Sequence, residues 1–99
     1  MLFNDLFTTY RRATSGVKRI YSATATVTNG YGIIVPLDGK MQATLGIDSA
    51  VKAYVLQTEE TDIMIDDKVT SNSVNYYIRE TETVQVQNIE ITRALLFKM

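Results

Sequence analysis

Five acids crowd into nine residues: Glu59, Glu60, Asp62, Asp66 and Asp67. Hard cations such as Mg²⁺ want oxygen donors of this kind. The spacing points elsewhere. The five span a polar turn and a strand, with no EF-hand pattern, and strand geometry puts Asp62 and Asp66 on one face and Asp67 on the other. The expected arrangement is a solvated acidic edge, which also deters sheet-to-sheet aggregation. No metal is assigned. Arg11, Arg12, Lys18 and Arg19 form a basic cluster with only Asp5 nearby. A chain positive at its start and acidic around 59–67 suits head-to-tail contact between identical subunits. Phosphate contact and plain surface charge compete with that use. Tyr10 and Tyr21 stand near the cluster and could stack bases, as on OB-fold surfaces. Tyr76 and Tyr77, being adjacent, point to opposite faces.

Catalytic chemistry finds few parts. The chain has no His and no Cys. That removes an imidazole base and a Ser-His-Asp triad. Ordinary structural zinc, haem-thiolate, iron–sulfur and disulfide chemistry go with it. Ser and Thr are plentiful, but no neighbour activates them. Gly30 and Gly32 are too few and wrongly spaced for a phosphate loop. The chain is not read as an enzyme: no residue is nominated as catalytic and no cofactor is implied. A net charge of -1 argues against a dedicated DNA binder, which carries a basic excess.

The 99 residues, 45% hydrophobic and 21% charged, make one domain, 1–99. A chain this size buries about 65% of its unfolded surface, so its stability can lean on partners. Met1-Leu2-Phe3-Asn4-Asp5 puts an acid where a signal peptide's apolar run begins, so no leader is expected. Gly32–Leu37 and Ala94–Phe97 fall far short of the roughly 20 residues that span a bilayer. No membrane partner is expected, and the lack of cysteine fits a reducing cytosol.

Val, Ile, Thr, Tyr and Phe make up 40 of the 99 residues. These types fit a pleated, half-buried surface. The expected fold is all-β, a small barrel or sandwich of six to seven strands. Asn29-Gly30 predicts a type I′ hairpin between Val17–Thr28 and Tyr31–Pro36. Tyr31, Ile33 and Val35 then form a face that needs cover, from a second layer of the same chain or from a neighbouring subunit. Residues 37–50 lack alternation and read as a long loop with one helical turn around Lys40–Leu45. Such loops are often functional, although a mobile loop without a role is the rival. Strands are expected at Ala50–Gln57, Asp62–Thr70, with Ile63, Ile65 and Val69 on one side, and Val74–Glu80. Thr83–Gln87 is expected to turn Val84 and Val86 inward. Ile89, Ile91, Leu95 and Phe97 are odd-numbered, whereas Val84 and Val86 are even. One regular strand cannot bury both sets on one face, so either a turn or bulge is required near Gln87-Asn88 or the strand crosses between two sheets. Ala94–Met99 is apolar on both faces and should be covered on both. Leu2 and Leu6, like Phe3 and Phe7, are four apart, which predicts a short N-terminal helical turn that plugs the barrel or reaches a neighbour.

From about residue 8 to 97 the layout resembles the head-completion proteins of tailed bacteriophages, the head-tail connectors that act as head-closure stoppers below the portal. Thr9-Tyr10-Arg11-Arg12 leads through Ser15-Gly16 into a long strand. Ile33-Ile34-Val35-Pro36 and a loop follow. Asp62-Ile63-Met64-Ile65-Asp66-Asp67-Lys68-Val69, a polar turn and Tyr76-Tyr77-Ile78-Arg79 match the family's "D-I-x-x-x-D" and "Y-x-I/V-R" strands. Asn72-Ser73 stands where a glycine turn is common. The resemblance implies a homo-oligomeric ring in the virion neck, assembled in the host cytoplasm. It would dock on a portal or adaptor protein, offer a surface to the tail, and close the head while DNA passes or is retained without sequence recognition. The residues it would use for subunit or portal contact are Arg11, Arg12, Lys18, Arg19, Tyr31, Ile33, Val35, Leu96 and Phe97. Asp38, Lys40, Met41, Gln42 and Asp48 would form a channel-gating loop. A tail-terminator or adaptor ring shares parts of the pattern. An OB-like or SH3-like nucleic-acid-binding module is the alternative of a different class.

Overall fold

Leu56, Val69, Tyr76, Ile78, Ala94 and Leu96 recur at even spacing within their segments and are all buried. That is the pattern of strands with one face in a core. A computed structural model describes residues 5–13, 20–47 and 51–99. Its elements are β1 (Asp5–Ala13), β2 (Ile20–Pro36), α1 (Gly39–Thr44), β3 (Ala53–Thr58), β4 (Lys68–Ser71), β5 (Val74–Val86) and β6 (Ile89–Lys98). The strands close into a barrel in the order β1-β2-β3-β6-β5-β4. Each neighbouring pair is antiparallel. Phe7, Val27 and Ile63 complete the core, and the Tyr54 and Tyr76 rings meet edge to face inside it, 5.1 Å between centroids.

The turns sort by chemistry. Asn72 and Ser73, and Gln87 and Asn88, all have positive φ, and Ser71↔Val74 and Val86↔Ile89 close around them. These are two-residue hairpins with both central residues left-handed, so of the alternatives near Gln87-Asn88 the turn is the one present. Asn29-Gly30 is not a turn. It lies inside the long strand β2, where Gly30 pairs with Phe7 and keeps out of the left-handed region. Asn29, at φ 51°, marks a β-bulge: from Phe7 to Thr9 the partner strand advances from Gly30 to Val27. The extra residue coils β2 around the barrel. The Thr9 hydroxyl, fully buried, accepts the Val27 N–H at 3.1 Å beside that irregularity.

Gly30 and Gly32 serve packing. A Cβ on Gly32 would stand 2.8 Å from the Gln57 carbonyl oxygen and 3.1 Å from Phe7 Cε1. The Phe7 ring lies flush against the strand only because no side chain intervenes. Gly32→Ala must displace the backbone of β3, and a loss of about 2 kcal/mol in urea unfolding is expected from that overpacking. Wild-type stability in the variant would show that β3 yields freely.

Several sequence expectations change. The N-terminal helical turn is absent over the described part: Leu6 and Phe7 lie on β1, Leu6 exposed and Phe7 buried, because pairing with β2 imposes a period of two. Leu2 and Phe3 lie outside the described residues. The strand expected over Asp62–Thr70 shrinks to β4. Asp66 has φ 73°, the chain turns there, and Ile65 is exposed while Ile63 plugs the barrel. Val84 and Val86 face outward rather than inward. Val84 pairs with Ile91 and Val86 with Ile89, so all four share the face that carries Leu95, opposite buried Thr92 and Ala94.

Residues 37–47 lie against the outside of the wall. Asp38 caps α1 by accepting the Met41 N–H at 2.7 Å, and buried Gln42 donates from Nε2 to the Val51 carbonyl at 3.1 Å. The helical turn expected around Lys40–Leu45 is therefore present. It partly covers the outer face of the last strand, whose inner face holds Ala94 and Leu96.

Candidate functional site

Sequence separation hides the tightest charged contact. β1 pairs with β4, setting Tyr10 opposite Lys68, so Arg11 and Arg12 reach the segment just before Lys68. Arg11 Nε donates to Asp67 Oδ1 at 2.9 Å, and Arg11 Nη2 donates to Asp62 Oδ1 at 2.9 Å. Arg12 Nη1 reaches Asp66 Oδ2 at 3.2 Å. The Asp67 side chain is fully buried and also accepts the Met64 N–H at 3.0 Å. Its backbone carbonyl accepts the Ile78 N–H at 3.0 Å. Burial holds the Asp67 carboxyl above the usual carboxylate range, and the Met64 N–H and Arg11 offset this only in part. The hydrogen bond to Asp62 leads the upward shift of Arg11.

Three of the five acids and two of the four basic residues therefore meet within one chain, which takes them out of a head-to-tail contact. Arg11 staples the 62–67 turn over the barrel end. The expected separation of Asp62 from Asp67 on opposite strand faces does not hold, since both converge on one guanidinium where the chain turns; Glu59, Glu60 and Asp62 stay exposed, whereas Asp67 is buried. Among the described residues no group of acids is placed to hold a metal ion. Lys18 and Arg19 lie outside the described residues.

The outward wall is a different surface. Val35 pairs with Val55, and Val55 with Leu95. One step along, Ile33, Gln57, Arg93 and Glu82 stand in line, with Arg93 and Glu82 ion-paired at 3.5 Å. Beyond them come Ile91 with Val84, then Ile89 with Val86. Tyr31 is 55% exposed, Val35 39%, and Val86 and Ile89 each 48%. The first apolar row thus spans three strands, β2, β3 and β6, and ends on β5 at Glu80; past the polar row, β5 and β6 carry the apolar pairs. A groove of ≈ 360 Å³ runs between α1 and this wall, with Met41 and Leu45 on one side and Val55 and Leu95 on the other.

Of the residues singled out for contact, Tyr31, Ile33 and Val35 share this wall. Phe97 lies on the same side of β6, half-buried, its ring edge to face with Tyr77 at 5.5 Å. Leu96 does not belong. It is completely buried, because it pairs with Tyr54 and shares its parity with Ala94 in the core. Of the loop residues, Asp38 and Gln42 are engaged in holding α1, Lys40 and Met41 are exposed, and Asp48 lies outside the described residues. The Arg11 clamp and the exposed Val86–Ile89 tip were not singled out. Only the long-range pairing of β1 with β4 reveals the first. The equal spacing of Val84, Val86, Ile89 and Ile91 about Gln87-Asn88 could have shown the second. Lys68 Nζ sits 4.6 Å from the Tyr10 ring centroid and 5.5 Å from that of Tyr21, so these tyrosines flank a cation.

No protein-family model matches this chain, and no curated protein is similar to it.

Proposed function

We propose that this chain is a structural subunit that assembles with its own kind, and that the assembly is the ring closing a tailed-phage head below the portal. The observation that carries the assembly reading is the apolar outer wall. Tyr31, Ile33 and Val35 stand exposed or half-buried beside Val55 and Leu95 on a barrel too small to cover them. Contiguous apolar surface of this kind marks contact with another protein. Each Å² withdrawn from water contributes about 25 cal/mol. The likeness to head-completion proteins carries the viral part. A net charge of -1 suits a ring that lets DNA pass, since a strongly basic bore would hold phosphates. Tail-terminator and adaptor rings share the surface argument and differ in neighbour, which pull-downs against portal and tail-tube proteins separate.

A nucleic-acid-binding module draws on Lys68 between Tyr10 and Tyr21. It is the weaker reading, because Arg11 and Arg12 are committed to aspartates. Salt-dependent binding of single-stranded DNA would support it.

The test places charge on the wall. Tyr31→Asp with Val35→Asp should leave the barrel folded, since exposed substitutions move stability by only about 0.5 kcal/mol. Particles seen by imaging when the native chain is mixed with portal should vanish. Undiminished assembly by the double variant would remove this wall from the contact.

A further inference from the structure

Two hairpins outrun the barrel wall at one end. β2 pairs with β3 only over Gly32–Pro36, so from Ile20 to Tyr31 its second edge has no ladder among the described residues. β5 pairs with β4 only over Val74–Tyr77. Past Ile78, which bonds to Asp66 and Asp67, the second edge of β5 is likewise unpaired as far as Val86. Both overhangs pass the same rim, where β3 ends at Thr58 and β4 begins at Lys68. The β2 edge faces the β3 side of the barrel and the β5 edge faces the β4 side.

A free strand edge is a row of unpaired N–H and C=O groups, and what satisfies it is another extended strand. Charges and prolines normally guard such edges. From Ile20 to Asn29 there is neither. The Thr24 N–H donates to the Ser22 hydroxyl at 3.1 Å. The β5 edge, by contrast, carries Arg79, Glu80 and Glu82.

We propose that the free β2 edge of one copy pairs with the free β5 edge of the next, joining copies of this chain head to tail by strand addition. The proposal rests on the assembly reading above and names its contact. Pairing β5 with β5 would set Glu80 and Glu82 against their own counterparts, and like charges across a ladder destabilise it. The uncharged β2 edge imposes no such penalty, and Lys18-Arg19 directly precede it in the sequence, opposite in sign to the glutamates. Because β2 and β5 stand three places apart in the six-strand ring and both free edges turn the same way around it, the two edges point in opposite directions, and the same step repeats from copy to copy, the heterologous geometry that gives a ring where the rotation closes.

The chain contains no cysteine, so introduced thiols report on a clean background. Thr24→Cys on β2 and Thr83→Cys on β5 both replace exposed residues. The two variants are mixed under mild oxidation, at a concentration where light scattering shows the native chain assembled, with Ser22→Cys and Gln85→Cys covering a shifted register. The expected product is a disulfide dimer in the mixtures and little in any variant alone. A dimer formed by Thr24→Cys by itself would mean symmetric β2 pairing and overturn the proposal. Assembly with no cross-link in either register would overturn it while leaving the assembly reading intact. A native chain that stays monomeric at every concentration and with portal present would remove both.

Discussion

Arg11→Met is expected to cost about 3 kcal/mol at neutral pH, the lower end of what removing one partner of a buried ion pair costs. The lower end applies because the Arg11 side chain keeps 36% of its surface in water while Asp67 keeps none. The loss is mainly that of a carboxylate stranded without its cation, since Met64 alone then serves it. Acid should relieve it. Without Arg11 the folded-state carboxyl rises further above its unfolded value of about 3.9. Between those two values the folded form holds a proton that the unfolded form lacks. The variant therefore gains stability as pH falls through the folded value, and the gain is complete below the unfolded one. The native Asp67 shifts in the same direction, but Arg11 restrains it, so the gap between native and variant narrows on acidification. Adding Asp67→Asn to Arg11→Met should restore most of the loss at pH 7, because a neutral amide oxygen still accepts the Met64 N–H. Urea unfolding of the three proteins at pH 7 and about pH 4 checks this. A deficit that stays constant with pH would mean that Arg11 acts through packing alone.

Nothing local in the sequence announces that clamp. Arg11 and Asp67 are 56 residues apart and meet because β1 joins β4 across the barrel seam. Composition and alternation made the β class legible, and the parity change after Val86 called for a turn, bulge or sheet crossing near Gln87-Asn88. What stayed hidden was which side of a strand faces in once a hairpin leaves the barrel. Beyond Thr83 and Thr92 there is no interior left, so Val84 and Ile91 are apolar without being core. Asn29-Gly30 misled for a related reason. A left-handed Asn serves a bulge as readily as a turn, and the choice depends on whether β1 lies alongside to keep the strand going. The four-residue spacing of Leu2, Leu6, Phe3 and Phe7 is equally ambiguous until pairing decides the period.

The glycines, unlike the asparagine, carry a second message that only packing reveals, and it leads to the largest loss expected in the molecule. Phe7→Ala should cost about 3–5 kcal/mol, the range for emptying an aromatic core site. Phe7 is 1% exposed, and its ring lies over both Gly30 and Gly32. Gly30→Ala alone should also destabilise, since the new Cβ would stand 2.8 Å from Val27 Cγ1 and 3.0 Å from Phe7 Cζ. In the Phe7→Ala background one of those clashes disappears and the added methyl enters the vacated space. The double variant should therefore be more stable than the sum of the single losses allows. Gly32→Ala offers a control, because its worst contact is the Gln57 carbonyl, which Phe7→Ala does not move. Coupling should thus be clear at Gly30 and weaker at Gly32 in double-mutant cycles read by urea unfolding. Equal coupling at both positions would show that β3 relaxes with the ring, and that the two glycines are held by the same constraint.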